Sequence, residues 1–150
     1  MRSATVFFRI AVSIHVLLLL AQPMLVGLFL SGGDEAKLRA HEMVGSSVGA
    51  TGLVLLVAAV VAWRRAEWPA RIVVLCLLLV VAEVVQLTMG YDRHLGIHVP
   101  LGVLLAITVS FLHAWAYRPH GQFGGRFFQT VSRFGRAVGG VNRRIDTTQE

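Results

Sequence analysis

Residues 70–89 read ARIVVLCLLLVVAEVVQLTM. This apolar run is about 20 residues long, which matches one helical crossing of a bilayer core. Hydrocarbon offers no water to satisfy backbone groups, so a run of this kind must be helical. Similar runs occupy residues 6–30, 41–63 and 97–117, and turn-forming glycine, proline and aspartate residues separate them. The sequence therefore predicts an all-α, four-helix transmembrane bundle in up-down-up-down order over residues 1–118.

The amino-acid composition is that of a membrane protein, and it excludes several other classes of protein and site. Of the 150 residues, 55% are hydrophobic and 15% charged, which lies outside the range of soluble domains. Cys76 is the only cysteine, so an intramolecular disulfide and a cysteine-based zinc site are excluded. No phosphate loop, zinc-protease helix or nucleophile elbow is present, and we do not expect an enzyme.

Positive charge predicts the orientation of the bundle. With the N-terminus inside, most arginines lie on the cytoplasmic side and only Lys37, Arg39 and Arg93 lie outside. We therefore expect a multi-pass protein of the bacterial inner membrane with both termini cytoplasmic. The first segment also resembles a signal peptide, but it continues to Leu30 without a small-residue cleavage site, which favours a retained helix.

The last segment, residues 119–150, changes character. Apolar residues recur there at spacings of four and three with arginines between them, which predicts a basic amphipathic helix on the membrane surface. Its expected partner is anionic lipid, and a protein partner is the alternative. Binding to anionic lipid accounts for the net charge of +6, so the charge does not require a nucleic-acid partner. The apolar members are Phe127, Val131, Phe134, Val138, Val141 and Ile145.

Two histidines near the outer face carry the sharpest functional signal. His41 precedes Gly45 at the same spacing as His98 precedes Gly102, and both histidines are expected to open helices that start from the outer face. Gly49 falls on the same side of its helix as His41. A histidine with glycines one and two helical turns deeper in the membrane is the arrangement expected beside a haem. The imidazole ligates the iron, and the glycines leave a helix surface without side chains against which the macrocycle can lie. The pattern predicts one haem b held by His41 and His98, with His94 as a substitute ligand.

Other polar residues inside the membrane also raise functional questions. We expect His15 and His113 to form a hydrogen-bonded pair in the inner leaflet, with Gln22 beside His15; a second haem between the two histidines is the alternative. Glu83, with Gln86 one turn beyond it, either relays protons, supports a histidine ligand, or forms a neutral bond to a neighbouring helix.

Through its two His-x-x-x-Gly motifs, the chain resembles half of a haem A synthase. Through the outer loop at Gly33, Asp34 and Glu35, followed by His41 and the late His-x-x-x-Gly motif, it also resembles small four-helix membrane proteins of high-GC bacteria. In the synthases, histidines at the outer starts of the second and fourth helices ligate haem, roles that fall by resemblance on His41 and His98. The chain has one half only and lacks the cysteine pair of many synthases, so the resemblance implies haem binding rather than oxygenation of a haem methyl group.

Three functions remain open at this point. The first is a small cytochrome b-like protein for electron transport or haem handling beside a respiratory complex. The second is an accessory or scaffold protein without cofactor, in which Gly45 and Gly49 form a small-residue packing motif. The third is a proton-coupled carrier using Glu83 and the inner histidines, which a chain this short supports only as an oligomer.

Overall fold

The computed structural model describes residues 2–118, which form four α-helices joined by short linkers. All four are long and apolar enough to cross a membrane. The prediction of an all-α, four-helix membrane protein is confirmed to that extent. The amphipathic helix predicted for residues 119–150 lies outside the described residues. The helices are α1 Arg2–Leu30, α2 Glu35–Ala66, α3 Arg71–Tyr91 and α4 Leu95–Ala116.

Helix α2 begins earlier than the apolar pattern indicates. Asp34 stands at its N-cap position with extended backbone, and Glu35 places an acidic residue in the first turn, where it interacts favourably with the helix dipole. The residues that follow are good helix formers despite their charges. The expectation that His41 opens the second helix is therefore wrong, since His41 lies about 9 Å inside it at 1.5 Å per residue.

Each helix packs against two others, in the cyclic order α1, α2, α3, α4. Within the described chain, no close backbone approach joins the diagonal pairs, α1 with α3 or α2 with α4. The centre of the bundle is therefore filled by side chains, and only side chains can connect helices across a diagonal. Two such connections form the candidate sites described below.

Aromatic residues close one end of the bundle, here called the tryptophan end. Trp68, in the linker between α2 and α3, is buried and makes edge-on ring contacts with Phe8 of α1 and Trp115 of α4. Nearby, Arg9 Nε donates to the backbone oxygen of Ala116 at 2.9 Å. The start of α1, the α2–α3 linker and the end of α4 therefore meet at the tryptophan end.

The outer surface of the bundle is apolar. Leu17, Met24 and Phe111 are 66%, 63% and 70% exposed, and many other large apolar side chains share this surface. An apolar surface this extensive is incompatible with water around a monomer. Together with the four long apolar helices, it indicates a multi-pass membrane protein.

Candidate cofactor site and buried polar cluster

His41 and His98 face each other across the α2–α4 diagonal. Their ring centroids are 6.3 Å apart and the ring planes lie at 73°. We call this region the histidine end. The backbones of α2 and α4 do not approach each other, so the two imidazoles meet across the centre of the bundle through their side chains alone.

Hydrogen bonds determine which nitrogen of each ring carries a proton. His41 Nδ1 lies 3.3 Å from the backbone oxygen of Gln22, and His98 Nδ1 lies 2.9 Å from that of Gln86. A carbonyl oxygen only accepts, so Nδ1 is the donor in both rings. In a neutral imidazole Nε2 then keeps its lone pair, and neither Nε2 forms a hydrogen bond within residues 2–118. This is the tautomer that binds metals through Nε2.

Gly90 of α3 allows His98 to take its position. A Cβ atom at Gly90 would lie 2.8 Å from Cε1 and 2.9 Å from Nδ1 of the His98 ring. The ring therefore packs directly on backbone. Sequence reasoning missed this role of Gly90, because the contact depends on how α3 and α4 are rotated toward each other.

The three glycines of the predicted haem wall face the ends of flexible side chains. Leu87 methyl groups contact the open faces of Gly45 and Gly49, and the amide of Gln22 also approaches Gly45. At Gly102 the neighbour is Nε2 of Gln86, 2.7 Å from where a Cβ would stand. The glycine faces are thus covered by groups that a change of rotamer can move.

Two amide groups at the histidine end lack partners. Gln22 Nε2 and Gln86 Oε1 are buried and form no hydrogen bond in the part of the chain that the structure describes. A buried polar group without a partner costs roughly 1–3 kcal/mol, so both amides favour a ligand that offers polar atoms there. The placement of Gln22 also differs from our expectation, because its backbone oxygen bonds His41 and not His15.

His94, the predicted substitute ligand, stands at the N-cap position of α4 and is exposed. Its backbone oxygen accepts from the backbone nitrogens of Ile97 and His98. Its side chain makes no ring contact or hydrogen bond with either facing histidine in residues 2–118. The structure therefore brings together His41 and His98, with His94 outside the pair.

The second connection crosses the α1–α3 diagonal. His15 Nε2 lies 2.8 Å from Glu83 Oε1, and His15 Nδ1 lies 2.9 Å from the hydroxyl oxygen of Thr51 on α2. His15 is 0% exposed and Glu83 2% exposed. The expected pairing of His15 with His113 is wrong, because His15 points to the bundle centre rather than along the α1–α4 contact. We call Thr51, His15 and Glu83 the buried polar cluster.

His113 belongs to a separate contact between α1 and α4. Its Nε2 lies 3.1 Å from the hydroxyl oxygen of Ser13, which also lies 3.1 Å from the Tyr117 hydroxyl. The His113 and Tyr117 rings are 4.9 Å apart. Ser13 donates its proton to the backbone oxygen of Arg9, so it can accept from both neighbours. This contact is explained by helix packing alone.

Residues 2–118 contain no group of three or more His, Cys, Asp or Glu side chains placed to hold a metal ion. Metal binding by protein ligands alone therefore has no support in this region. Comparison with known proteins adds no further guide, since no protein-family profile, curated protein or solved structure matches the chain.

Proposed function

We propose that this chain is a small membrane protein that binds one haem b through Nε2 of His41 and Nε2 of His98. Its work is electron transfer, or haem handling in support of a respiratory complex. The observation that carries the proposal is the facing pair of imidazoles, each held by Nδ1 on a backbone oxygen of a neighbouring helix.

The separation of the two rings is compatible with a metal held between them. If both Nε2 atoms faced one metal, bonds of about 2.0 Å and about 1.2 Å from nitrogen to ring centre would put the ring centres about 6.4 Å apart. The observed value is 6.3 Å. Two protein ligands suffice for haem, because the pyrrole nitrogens complete the coordination. A site with only two histidines is therefore compatible with haem and not with a metal ion bound by side chains alone.

The surroundings of the two histidines also fit the group. The backbone at Gly45, Gly49 and Gly102 is covered by the Leu87, Gln22 and Gln86 side chains, whose ends a change of rotamer can move. Gln22 Nε2, which has no partner in the described region, is a donor suited to a carboxylate such as a haem propionate.

Haem bound in this way supplies a one-electron redox centre. The chain's own residues do the rest. The backbone oxygens of Gln22 and Gln86 fix the tautomer and direction of the imidazoles, and Gly90 fixes the plane of His98. The apolar helices exclude water. Hydrogen bonding and burial of this kind set the potential of a haem centre.

The orientation of the bundle belongs to the same proposal. Linkers of a few residues between successive long helices favour up-down-up-down order, as does the meeting of the α1 start with the α2–α3 linker and the α4 end. The arginine distribution favours cytoplasmic termini in a bacterial inner membrane. The histidine end then lies toward the outer face, and residues 119–150 lie as an amphipathic helix on anionic lipid of the cytoplasmic leaflet.

The test is a reduced-minus-oxidised absorption spectrum of the chain purified in mild detergent from haem-replete cells. Bis-histidine haem b gives a sharp α-band near 560 nm, an approximate position for this ligand class. We expect His41→Ala and His98→Ala each to abolish the band, because one imidazole alone leaves an axial position open.

His94→Ala and His113→Ala are the matched controls, since both remove a histidine outside the facing pair. Both variants should keep the band. A colourless wild-type preparation would refute the proposal and leave the scaffold reading, in which Gly45 and Gly49 only pack helices. Retention of the band in both His41→Ala and His98→Ala would show that haem binds elsewhere.

A further inference from the structure

A groove lies between the start of α1 and the end of α2, at the tryptophan end of the bundle. Its volume is about 550 Å³, within the range of about 300–1,000 Å³ for ligand pockets. The groove is open on the outer surface, where Phe7 is exposed. We call it the arginine groove, and its lining residues include Ser3, Phe7, Val60, Val61, Arg64 and Arg65.

The α2 wall of the groove changes from charged to apolar with depth. Arg64 and Arg65 stand in the last turn of the helix. Val60 and Val61 lie one turn earlier, about 6 Å deeper at 1.5 Å per residue. The wall therefore offers guanidinium groups at its outer end and aliphatic side chains beneath them.

The α1 wall changes in the same direction. Ser3 stands in the first turn of the helix, and Phe7 lies one turn deeper. The two walls thus match in register, with polar side chains at the mouth and apolar ones below. A molecule that fills the groove must itself be polar at one end and apolar at the other.

Helix length places the mouth of the groove among lipid headgroups. With 32 residues, α2 is about 48 Å long, whereas the hydrocarbon core is about 30 Å thick and the bilayer with its headgroup layers about 40–45 Å. The last turn of α2 therefore reaches a headgroup layer, and the valines one turn earlier face acyl chains. This holds for either orientation of the bundle.

The positive charge at the mouth lacks an acidic partner. Neither Arg64 nor Arg65 forms an ion pair within residues 2–118, where Glu67 is the only acidic residue at the tryptophan end. The guanidinium of Arg64 lies 4.9 Å from the ring centroid of Trp63, a cation–π contact that holds it at the interface. Guanidinium groups bind phosphate oxygens through paired N–H donors. The mouth therefore complements a phosphate group.

We propose that the arginine groove binds one anionic phospholipid. Its phosphodiester oxygens accept hydrogen bonds from Arg64 and Arg65, as in other basic pockets between transmembrane helices. One acyl chain lies along Phe7, Val60 and Val61. A zwitterionic lipid brings its own cation and leaves the arginines unneutralised, and a water-soluble phosphate compound gains nothing from the apolar half. This binding does not depend on haem.

The test is native mass spectrometry of the full chain released from nanodiscs, which counts the lipids that stay bound. The nanodiscs contain equal parts of phosphatidylglycerol and phosphatidylcholine with the same acyl chains, at physiological salt. We expect one phosphatidylglycerol to be retained in preference to phosphatidylcholine. Glycerophosphoglycerol, which is the headgroup without chains, and inorganic phosphate should not displace it. Any attraction of lipid by residues 119–150 is the same in every variant below.

Arg64→Gln and Arg65→Gln test the headgroup contact. Each should lower the ratio of retained phosphatidylglycerol to phosphatidylcholine about fivefold, the effect of one basic residue beside an anionic surface. The control is Arg71→Gln, which removes an exposed arginine at the same end outside the groove. It should stay within about twofold of wild type, because salt screens exposed charges that do not touch the lipid.

Val61→Phe tests the acyl-chain contact. The added ring fills the apolar half of the groove and leaves both arginines in place, so the ratio should fall by a similar factor. Val57→Phe is the control, since it adds the same ring on the same helix at an exposed position outside the groove. It should leave the ratio unchanged.

Three results would overturn the inference. Equal ratios in Arg64→Gln, Arg65→Gln and Arg71→Gln would show general attraction by the surface. An undiminished ratio in Val61→Phe would place the lipid outside the groove, and displacement by inorganic phosphate would identify a site for free anions. Haem content separates this test from that of the proposed function, because the groove variants leave the histidine end unchanged and should keep any haem band of the wild type.

Discussion

Replacing Gly90 by alanine tests whether the position of His98 is set by close contact with α3. The new Cβ would stand 2.8 Å from Cε1 of the His98 ring, whereas ordinary contact begins at 3.4 Å. The ring must therefore retreat by about 0.6 Å, the difference between those distances. The acceptor of its Nδ1 proton is the backbone oxygen of Gln86, also on α3, at 2.9 Å. Retreat from α3 lengthens this bond toward about 3.5 Å, beyond the usual range of about 2.7–3.2 Å.

The free energies involved predict a large effect on haem and a small one on stability. Losing the hydrogen bond costs about 0.5–1.5 kcal/mol, and alanine in place of glycine in a helix returns about 1 kcal/mol. The free energy of unfolding should therefore change little. Loss of a group that orients a metal-binding histidine typically lowers affinity about 10–100-fold, and we expect haem affinity to fall by that factor.

Haem titration of the purified protein in detergent measures the affinity, and unfolding in mixed micelles measures stability. The ¹⁵N chemical shift of His98 Nδ1 reports the same displacement in haem-free protein. Gly96→Ala is the control, since nothing lies within 4 Å of a Cβ there. Wild-type affinity together with an unchanged Nδ1 shift in Gly90→Ala would refute the reasoning.

Two further predictions concern the buried polar cluster. Gly52→Ala should lower the free energy of unfolding by about 3–5 kcal/mol, the cost of breaking a buried pair, because the new Cβ collides with Glu83 Oε2. Unfolding in mixed micelles measures this loss. Gly27→Ala is the control, since nothing lies within 4 Å of a Cβ there, and an equal loss of stability in the two variants would contradict the prediction. Thr51→Val should cost about 1–3 kcal/mol by leaving His15 Nδ1 without a hydrogen-bond partner. Thr51→Ser should restore most of the loss in the same assay, and equal stability of the two variants would count against the hydrogen bond between Thr51 and His15.

Helix number and membrane character could be predicted from sequence because they depend on length and apolarity alone. The 41–63 run predicted α2 only in part, since residues 35–40 carry three charged side chains and are nevertheless helical. Polarity marks where lipid ends and not where a helix begins. His41 consequently lies deeper along its helix than the apolar pattern indicated.

The contacts of the polar residues required information that spacing does not contain. The expected depth of each residue in the membrane predicted that His15 lies beside His113. The rotation of α1 about its own axis instead directs His15 to the centre of the bundle, toward Glu83 on the diagonal helix. Gly90 and the backbone oxygens of Gln22 and Gln86 were missed for the same reason. Each acts on a histidine of a different helix, and one sequence does not reveal how neighbouring helices face each other.

The two diagonals of the bundle differ in how they satisfy their histidines. Across α1 and α3, both nitrogens of His15 have a polar neighbour, the Thr51 hydroxyl oxygen at 2.9 Å on one side and Glu83 Oε1 at 2.8 Å on the other. Across α2 and α4, both Nδ1 protons go to backbone oxygens. The remaining nitrogens of neutral His41 and His98 are both acceptors, so they cannot bond each other. A centre that accepts electron pairs would satisfy both nitrogens. Of the histidines on these two diagonals, only His41 and His98 keep a nitrogen without a polar partner in the described chain. We therefore propose the cofactor at these two residues and not at His15, which contacts Glu83.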